Sequence, residues 1–309
     1  MESDGQSSSP TYHSISALTE RWLARGRHET VDGLSLFVVE AGPERGPPIL
    51  LLHGFPSWSV DYHRVLDRLA TRHRVIVHDH PGFGFSSKPA EYSYSLLEQA
   101  QFALRLWHKL GVRRGHLVAH DYGTSIATEL LALRERDLLP MHLTGITLSN
   151  GSVYLDLAKL RLSQRLVRSR WLGPAFGRLL YRGYFLRVMR RLWADPGAAS
   201  AEDLAAIWDG VVHADGRRRA HQLAGYLDER QRFAERWHGA VRRLDLPLHV
   251  LWGRQDPVAS PAIAKRLAAQ APDAKLTWLD DVGHYPMLEA PHRWAEAVLE
   301  TVEKPGLFA

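Results

Sequence analysis

The stretch Leu117-Val118-Ala119-His120-Asp121-Tyr122-Gly123-Thr124 sets a carboxylate midway between two small residues. A short apolar run that turns directly into a helical pattern, in the order small-x-nucleophile-x-Gly, describes a nucleophile elbow. The sharp turn exposes the central side chain, small neighbours let strand and helix approach, and the helix N-terminus behind favours negative charge. Ala119 stands where glycine is more usual. With Asp121 at the centre, the chemistry is displacement at carbon, which leaves an ester. Attack on an ester or amide would instead give a reactive anhydride. A strand-ending aspartate is also a common helix cap, so its company decides.

That company is His284, in Asp281-Val282-Gly283-His284-Tyr285-Pro286, and Asp256, in Trp252-Gly253-Arg254-Gln255-Asp256-Pro257. The chain order nucleophile, acid, histidine is that of a known triad arrangement. Each residue lies just past a predicted strand, so one sheet edge gathers all three. His53-Gly54-Phe55-Pro56 follows an earlier strand, and the N–H groups of Phe55 and Tyr122 are placed to form an oxyanion hole for ester hydrolysis. His78-Asp79-His80 resembles a ligand run, but adjacent strand residues point to opposite faces and chelate badly. Structural roles are expected there, and neither metal nor cofactor. His120 is expected to point away from the pocket. Tyr154, Tyr181, Tyr184 and Tyr226 stand out for their weakly acidic hydroxyls.

The elements that must position these residues alternate. Strands are predicted at 34–40, 48–52, 74–78, 116–120 and 143–149. Helical spacing covers 59–71, 94–110 and 122–134. Residues 151–240 then read as helical throughout, with breakers at Gly173-Pro174, Pro196-Gly197 and Asp215-Gly216. Alternation resumes with strands at 248–252 and 275–279 and helices at 261–271 and 291–302. The pattern predicts an α/β fold: a mostly parallel, doubly wound sheet with a helical cap inserted after the sixth strand. The cap would lie over the carboxyl edge, where such sheets keep their sites. The expected division is a disordered tail over 1–14, a core over 15–150 and 241–309, and a cap over 151–240.

Composition narrows the chemistry. The 309 residues are 45% hydrophobic and 24% charged, an ordinary globular balance, and no cysteine is present, which excludes a thiol nucleophile, disulfides and Cys-ligated metals. The polar opening MESDGQSSSP does not read as a secretory signal, and no run of 18 apolar residues occurs. A cytoplasmic protein is expected, with membrane association left open. The net charge of +5 is uneven: between Leu157 and Trp193 there are nine Arg and one Lys with no Asp or Glu. No nucleic-acid motif accompanies them. They suit a solvated face of amphipathic helices or a membrane-surface face.

His53-Gly54-Phe55-Pro56, Asp79 through Ser86, His120-Asp121-Tyr122-Gly123 and Gly283-His284-Tyr285-Pro286 together resemble the epoxide hydrolase and haloalkane dehalogenase branch of α/β hydrolases. Within it the chain is most similar to the mesoderm-specific transcript group, through the HDYG elbow, the LSNG at Leu148–Gly151 and the stretch from Ile207 to Trp237. The resemblance spans roughly residues 30 to 305. It implies the α/β-hydrolase fold and a two-step reaction. Asp121 would form an alkyl ester, and His284, oriented by Asp256, would activate the water that cleaves it. It also implies cap tyrosines that protonate the departing alkoxide, for which Tyr226 and Tyr154 are the candidates. The implied substrate is a lipophilic small molecule, most simply an epoxide. Carbon–halogen hydrolysis is the alternative, although Tyr122 and Phe55 replace the Trp and Asn that usually cradle a halide. A ligand-binding or membrane-associated protein without turnover is a third reading. A peripheral membrane contact through the basic cap and a homodimer are both left open as partners.

Overall fold

The computed structural model describes residues 14–303 apart from 160, 161, 170, 272 and 273. The predicted N-terminal tail therefore lies, but for Ser14, outside the described residues. Gly26–Val31 (β1), Leu34–Ala41 (β2), Pro48–Leu52 (β3), Arg74–His78 (β4), Arg114–His120 (β5), His142–Ser149 (β6), Leu248–Gly253 (β7) and Lys275–Leu279 (β8) are strands. They form one sheet in the order β1-β2-β4-β3-β5-β6-β7-β8. The first two pairings, β1 with β2 and β2 with β4, are antiparallel; all later ones are parallel.

The central strands are apolar at successive positions because both sheet faces are covered. Leu50, Leu52, Leu117 and Ala119 join one buried cluster. Ile49, Leu51 and Val118, the residues between them, join the other. Strand side chains alternate across the sheet, so a continuous apolar run fills two cores at once.

Two departures from the sequence reading have plain causes. β1 carries Arg27, His28, Glu29 and Thr30 in an edge strand that is half exposed, so it offers no apolar alternation to read. The segment 59–71 is not one helix. It is a 3₁₀ turn over Ser59–Tyr62 and a single α-turn over Leu66–Leu69. Tertiary bonds tighten it: the Ser59 N–H donates to Asp79 Oδ1 at 2.8 Å and the Tyr62 hydroxyl to the Leu52 carbonyl at 2.8 Å.

Between β6 and β7 the described chain is helical, including Leu162–Arg168, Gly173–Leu179, Arg182–Arg190, Ala201–Val212, Tyr226–Arg232 and Ala234–Arg242. Gly173-Pro174 opens a helix rather than ending one, since proline suits the first turn, where its missing N–H costs nothing. The chain does break at Ala214 and Asp215, both at positive φ. The block is tied to the sheet layer by Trp58 Nε1, which donates to the Ala206 carbonyl at 2.8 Å. Among the described residues no helix is long and apolar enough to cross a membrane.

Candidate active site

Asp121 follows β5 and starts the Tyr122–Arg134 helix with φ +45° and ψ −107°, a backbone conformation that non-glycine residues rarely hold. Such strain persists only where the surroundings over-determine it. Here the Asp121 carbonyl accepts three hydrogen bonds, from Thr124 N at 3.1 Å, Thr124 Oγ1 at 2.6 Å and Arg230 Nη2 at 3.1 Å. Two glycines permit the close packing around the turn. A Cβ on Gly54 would sit 2.9 Å from Asp121 Cβ, and one on Gly123 would sit 2.6 Å from the Leu52 carbonyl oxygen.

Asp121 is 3% exposed, and its side chain lines a cavity together with His284. Its Oδ1 accepts the Phe55 N–H at 2.9 Å, and its Oδ2 lies 3.7 Å from His284 Nε2. The Tyr122 N–H is among the first amides of the helix, which have no acceptor inside it. Phe55 follows β3, Asp256 follows β7 and His284 follows β8, so the carboxyl edge of the sheet assembles the group. His284 Nδ1 donates to Asp256 Oδ2 at 2.7 Å. The rest of that carboxylate is satisfied by Val258 N, Ala259 N and Asn150 Nδ2, at 2.7, 2.9 and 2.7 Å.

Burial pushes the His284 imidazole down, but the Asp256 carboxylate beside it, with Asp121, outweighs this and raises its pKa to about 9. The two acidic neighbours thus favour the protonated form of the imidazole. His120 is buried and held neutral, lowered to about 4 by desolvation; its Nε2–H donates to the His284 carbonyl at 2.7 Å and it does not line the cavity.

The cavity measures about 110 Å³. One water needs roughly 10–15 Å³ on the same measure, so there is room for an organic molecule. Its walls are apolar: Phe55, Val167, Phe176, Leu180, Phe185 and Met189 are among them. Besides Asp121 and His284, the described lining offers one polar side chain, the hydroxyl of half-buried Tyr184.

The two tyrosines named as acids sit elsewhere. Tyr154 is buried, its hydroxyl donates to Gln270 Oε1, its ring packs on His238 at 4.4 Å, and it does not line the cavity. Packing against the Pro261–Gln270 helix directs the Tyr154 hydroxyl to Gln270. Tyr226 is nearer, with ring centroids 5.7 Å from Phe55 and 5.2 Å from Tyr122, yet it too is absent from the cavity wall.

Three positioning residues were given no role in the sequence reading, although Asn150 stands in its LSNG motif. Asn150, at φ +47° beyond β6, also accepts the Gly253 N–H at 3.0 Å and so links two strand ends under Asp256. Its place at a strand's carboxyl end was the available signal. Glu289, its carboxyl raised by burial, accepts the N–H groups of Ala194, Gly283 and Tyr285 and holds the His284 loop. Arg230, 1% exposed, donates to Ser125 Oγ at 2.7 Å as well as to Asp121. No local pattern marked these last two. Among the described residues no three His, Asp or Glu side chains converge to hold a metal ion. His78 and His80 are instead buried, with His80 stacked on His53 at 4.1 Å.

Known proteins bear on this geometry. A family model described as alpha/beta hydrolase fold matches residues 47–291. LipZ of Mycobacterium tuberculosis (strain H37Rv) is 43% identical over 261 residues, covering 84% of this chain and 90% of that protein. The mesoderm-specific transcript homolog protein of Homo sapiens is 33% identical over 300 residues, covering 94% and 88%. The crystal structure of haloalkane dehalogenase DbeA from Bradyrhizobium elkani superposes with a TM-score of 0.77 at 23% identity, covering 91% and 98%. The sheet order, the elbow after β5 and these similarities agree: the chain belongs to the α/β-hydrolase fold family, with the mesoderm-specific transcript proteins among its relatives.

Proposed function

We propose that this hydrolase opens a lipophilic epoxide to a diol through a covalent ester on Asp121. One observation carries the reading: the elbow bears a carboxylate, 3.7 Å from an imidazole, facing a cavity whose remaining described wall is apolar but for the Tyr184 hydroxyl. Asp121 Oδ2, the oxygen not held by the Phe55 N–H, attacks a ring carbon as the carbon–oxygen bond breaks. The departing alkoxide is strongly basic and takes the proton of a phenol, and Tyr184 is the phenol on the cavity wall.

Ester formation removes the negative charge of Asp121. That charge is one of those raising His284, so the imidazolium becomes more acidic and yields the neutral base the second step needs. His284 then takes a proton from water, and hydroxide adds to the ester carbonyl. The oxyanion meets the N–H groups of Phe55 and Tyr122. Collapse passes the added hydroxyl's proton to the leaving diol alkoxide and restores the carboxylate, while the proton that the imidazolium gave up before hydrolysis re-forms the Tyr184 phenol, so that His284 ends protonated as it began.

Cleavage of a carbon–halogen bond is the weaker reading. A leaving halide needs N–H donors, and His284 is the sole side chain offering one among the described lining residues.

Weighing a His284→Gln variant after incubation with aliphatic, aryl and fatty-acid epoxides tests the proposal. Attack proceeds while water activation fails, so a mass gain of one intact epoxide on Asp121 is expected. Absence of an adduct with every electrophile overturns the mechanism, and adducts with haloalkanes alone, with halide release, replace the epoxide.

A further inference from the structure

The outer surface of the inserted helices departs from an ordinary solvated face. Of the six large apolar side chains that stand exposed among the described residues, five lie within one stretch: Leu162, Trp171, Leu172, Leu179 and Tyr181. Trp171 is 84% exposed and Leu179 78%. Soluble proteins scatter such residues, and their concentration marks a surface that meets something apolar.

The same stretch is a field of one sign. No carboxylate occurs between Asp156 and Asp195. Arg168 pairs with Asp228 outside the stretch, whereas exposed Arg178, Arg182 and Arg187 have no ion-pair partner among the described residues. Apolar groups interleaved with guanidinium groups that have no carboxylate partner among the described residues match a leaflet carrying anionic lipid, which supplies both hydrocarbon and counter-charge. A nucleic acid would satisfy the charge and leave the apolar groups exposed.

The patch is also continuous with the cavity. Phe176 and Tyr184 line the cavity, their rings lie 6.2 Å apart, and Tyr184 lies 6.2 Å from the exposed ring of Tyr181. The Gly173–Leu179 helix thus gives one side chain, Phe176, to the cavity wall and another, Leu179, to the outer surface.

We infer that the face formed by Trp171, Leu172, Arg178, Leu179, Tyr181 and Arg182 docks on a bilayer leaflet containing anionic phospholipid and takes lipophilic substrate from it. Docking stands on the surface alone, and only the delivery of substrate rests on the proposed chemistry.

The full chain is sedimented with vesicles of phosphatidylcholine and of phosphatidylcholine with phosphatidylserine. Binding to the anionic vesicles is expected, weakening as salt is raised. Trp171→Ala with Leu179→Ala, and separately Arg178→Glu with Arg182→Glu, should each lose it. The charge reversal should lower affinity about thirtyfold or more. Each variant should keep the wild-type melting temperature and, in a His284→Gln background, the wild-type rate of adduct formation with a short water-soluble epoxide. No binding to either vesicle overturns the inference, as does binding that ignores salt and both pairs of substitutions. Concentration-dependent dimerisation lost in Trp171→Ala with Leu179→Ala, without vesicle binding, assigns the face to a second copy instead. Vesicle binding without any adduct would uphold the docking and sink only the chemistry.

Discussion

The guanidinium of Arg230 donates to the backbone carbonyl of Asp121 at 3.1 Å, joining a helix of the inserted block to the turn that bears the carboxylate. The group is buried, lies 4.5 Å over the Tyr226 ring and leaves Nη1 without a hydrogen-bond partner among the described residues. A buried cation placed there holds the strained turn and favours the adjacent negative charge. Arg230→Met should slow adduct formation in the His284→Gln background on the order of ten- to a hundredfold, the scale of the backbone strain released. Single-turnover mass spectrometry reads this directly. An unchanged rate with a lowered melting temperature would reduce Arg230 to a packing role.

Tyr184 and Tyr154 separate the cavity-lining phenol from the one bonded to Gln270. Tyr184→Phe should lower epoxide turnover by about 10²–10⁴-fold, the usual contribution of a placed general acid. Tyr154→Phe should leave turnover within about twofold, because it removes one hydrogen bond far from the reacting atoms. Steady-state kcat for both variants checks the pair, and the reverse ranking would restore Tyr154.

The Asp256 carboxylate is the main influence raising His284, against the opposing effect of burial. Ester hydrolysis needs the neutral imidazole, so kcat should rise with pH as the imidazolium of the ester form deprotonates. That limb should lie below pH 9, because Asp121 is then neutral. Asp256→Asn should move the limb to lower pH still and cut its plateau on the order of 10³-fold, through loss of orientation and of charge balance. A kcat–pH profile with an unmoved limb would show that Asp256 does not set the imidazole.

Asn150 supports Asp256 Oδ2 at 2.7 Å and the Gly253 N–H at 3.0 Å. Asn150→Ala strips a donor from a buried carboxylate and places Ala at φ +47°, where Asn is better tolerated. Stability should fall by about 1–3 kcal/mol in urea unfolding. The decrease in activity should appear in kcat, with KM nearly unchanged. A raised KM with normal kcat would place Asn150 in substrate binding.

Burial holds His53, His116 and His249 at about 3, and His78 and His120 at about 4. Their unfolded value is near 6.5, so below that pH the unfolded chain takes up protons that the folded chain refuses. Stability from these groups is whole above pH 6.5 and is lost as pH falls toward 4. The loss is on the order of 1 kcal/mol per histidine per pH unit. His284 works in the other direction: its contribution is whole below 6.5 and is lost as pH rises through about 9. Urea midpoints followed from pH 7.5 to 4.5 should drop steeply, and a flat profile would mean that water reaches the buried imidazoles.

Much of the core and of the site was legible in the order of the residues. Apolar runs at 48–52 and 116–120 announce strands because a sheet covered on both faces needs apolar side chains at successive positions. Asp121, Asp256 and His284 could be placed on one edge because each lies shortly past the end of a predicted strand, and parallel strands bring their ends together. Edge strand β1 was hidden, since its solvent-facing residues carry no apolar period. Tertiary structure alone decided which way side chains point and what they meet across the fold. Tyr184 reaches the cavity while Tyr154 turns to Gln270, although both are tyrosines of the same inserted stretch. Arg230 meets Asp121 across 109 positions of chain, and Asn150 meets Asp256 across 106. Local spacing records the periodicity of an element. It does not record the crossing angles and rotamers that bring distant polar groups within 3 Å, and those are set only when helices and sheet pack against one another.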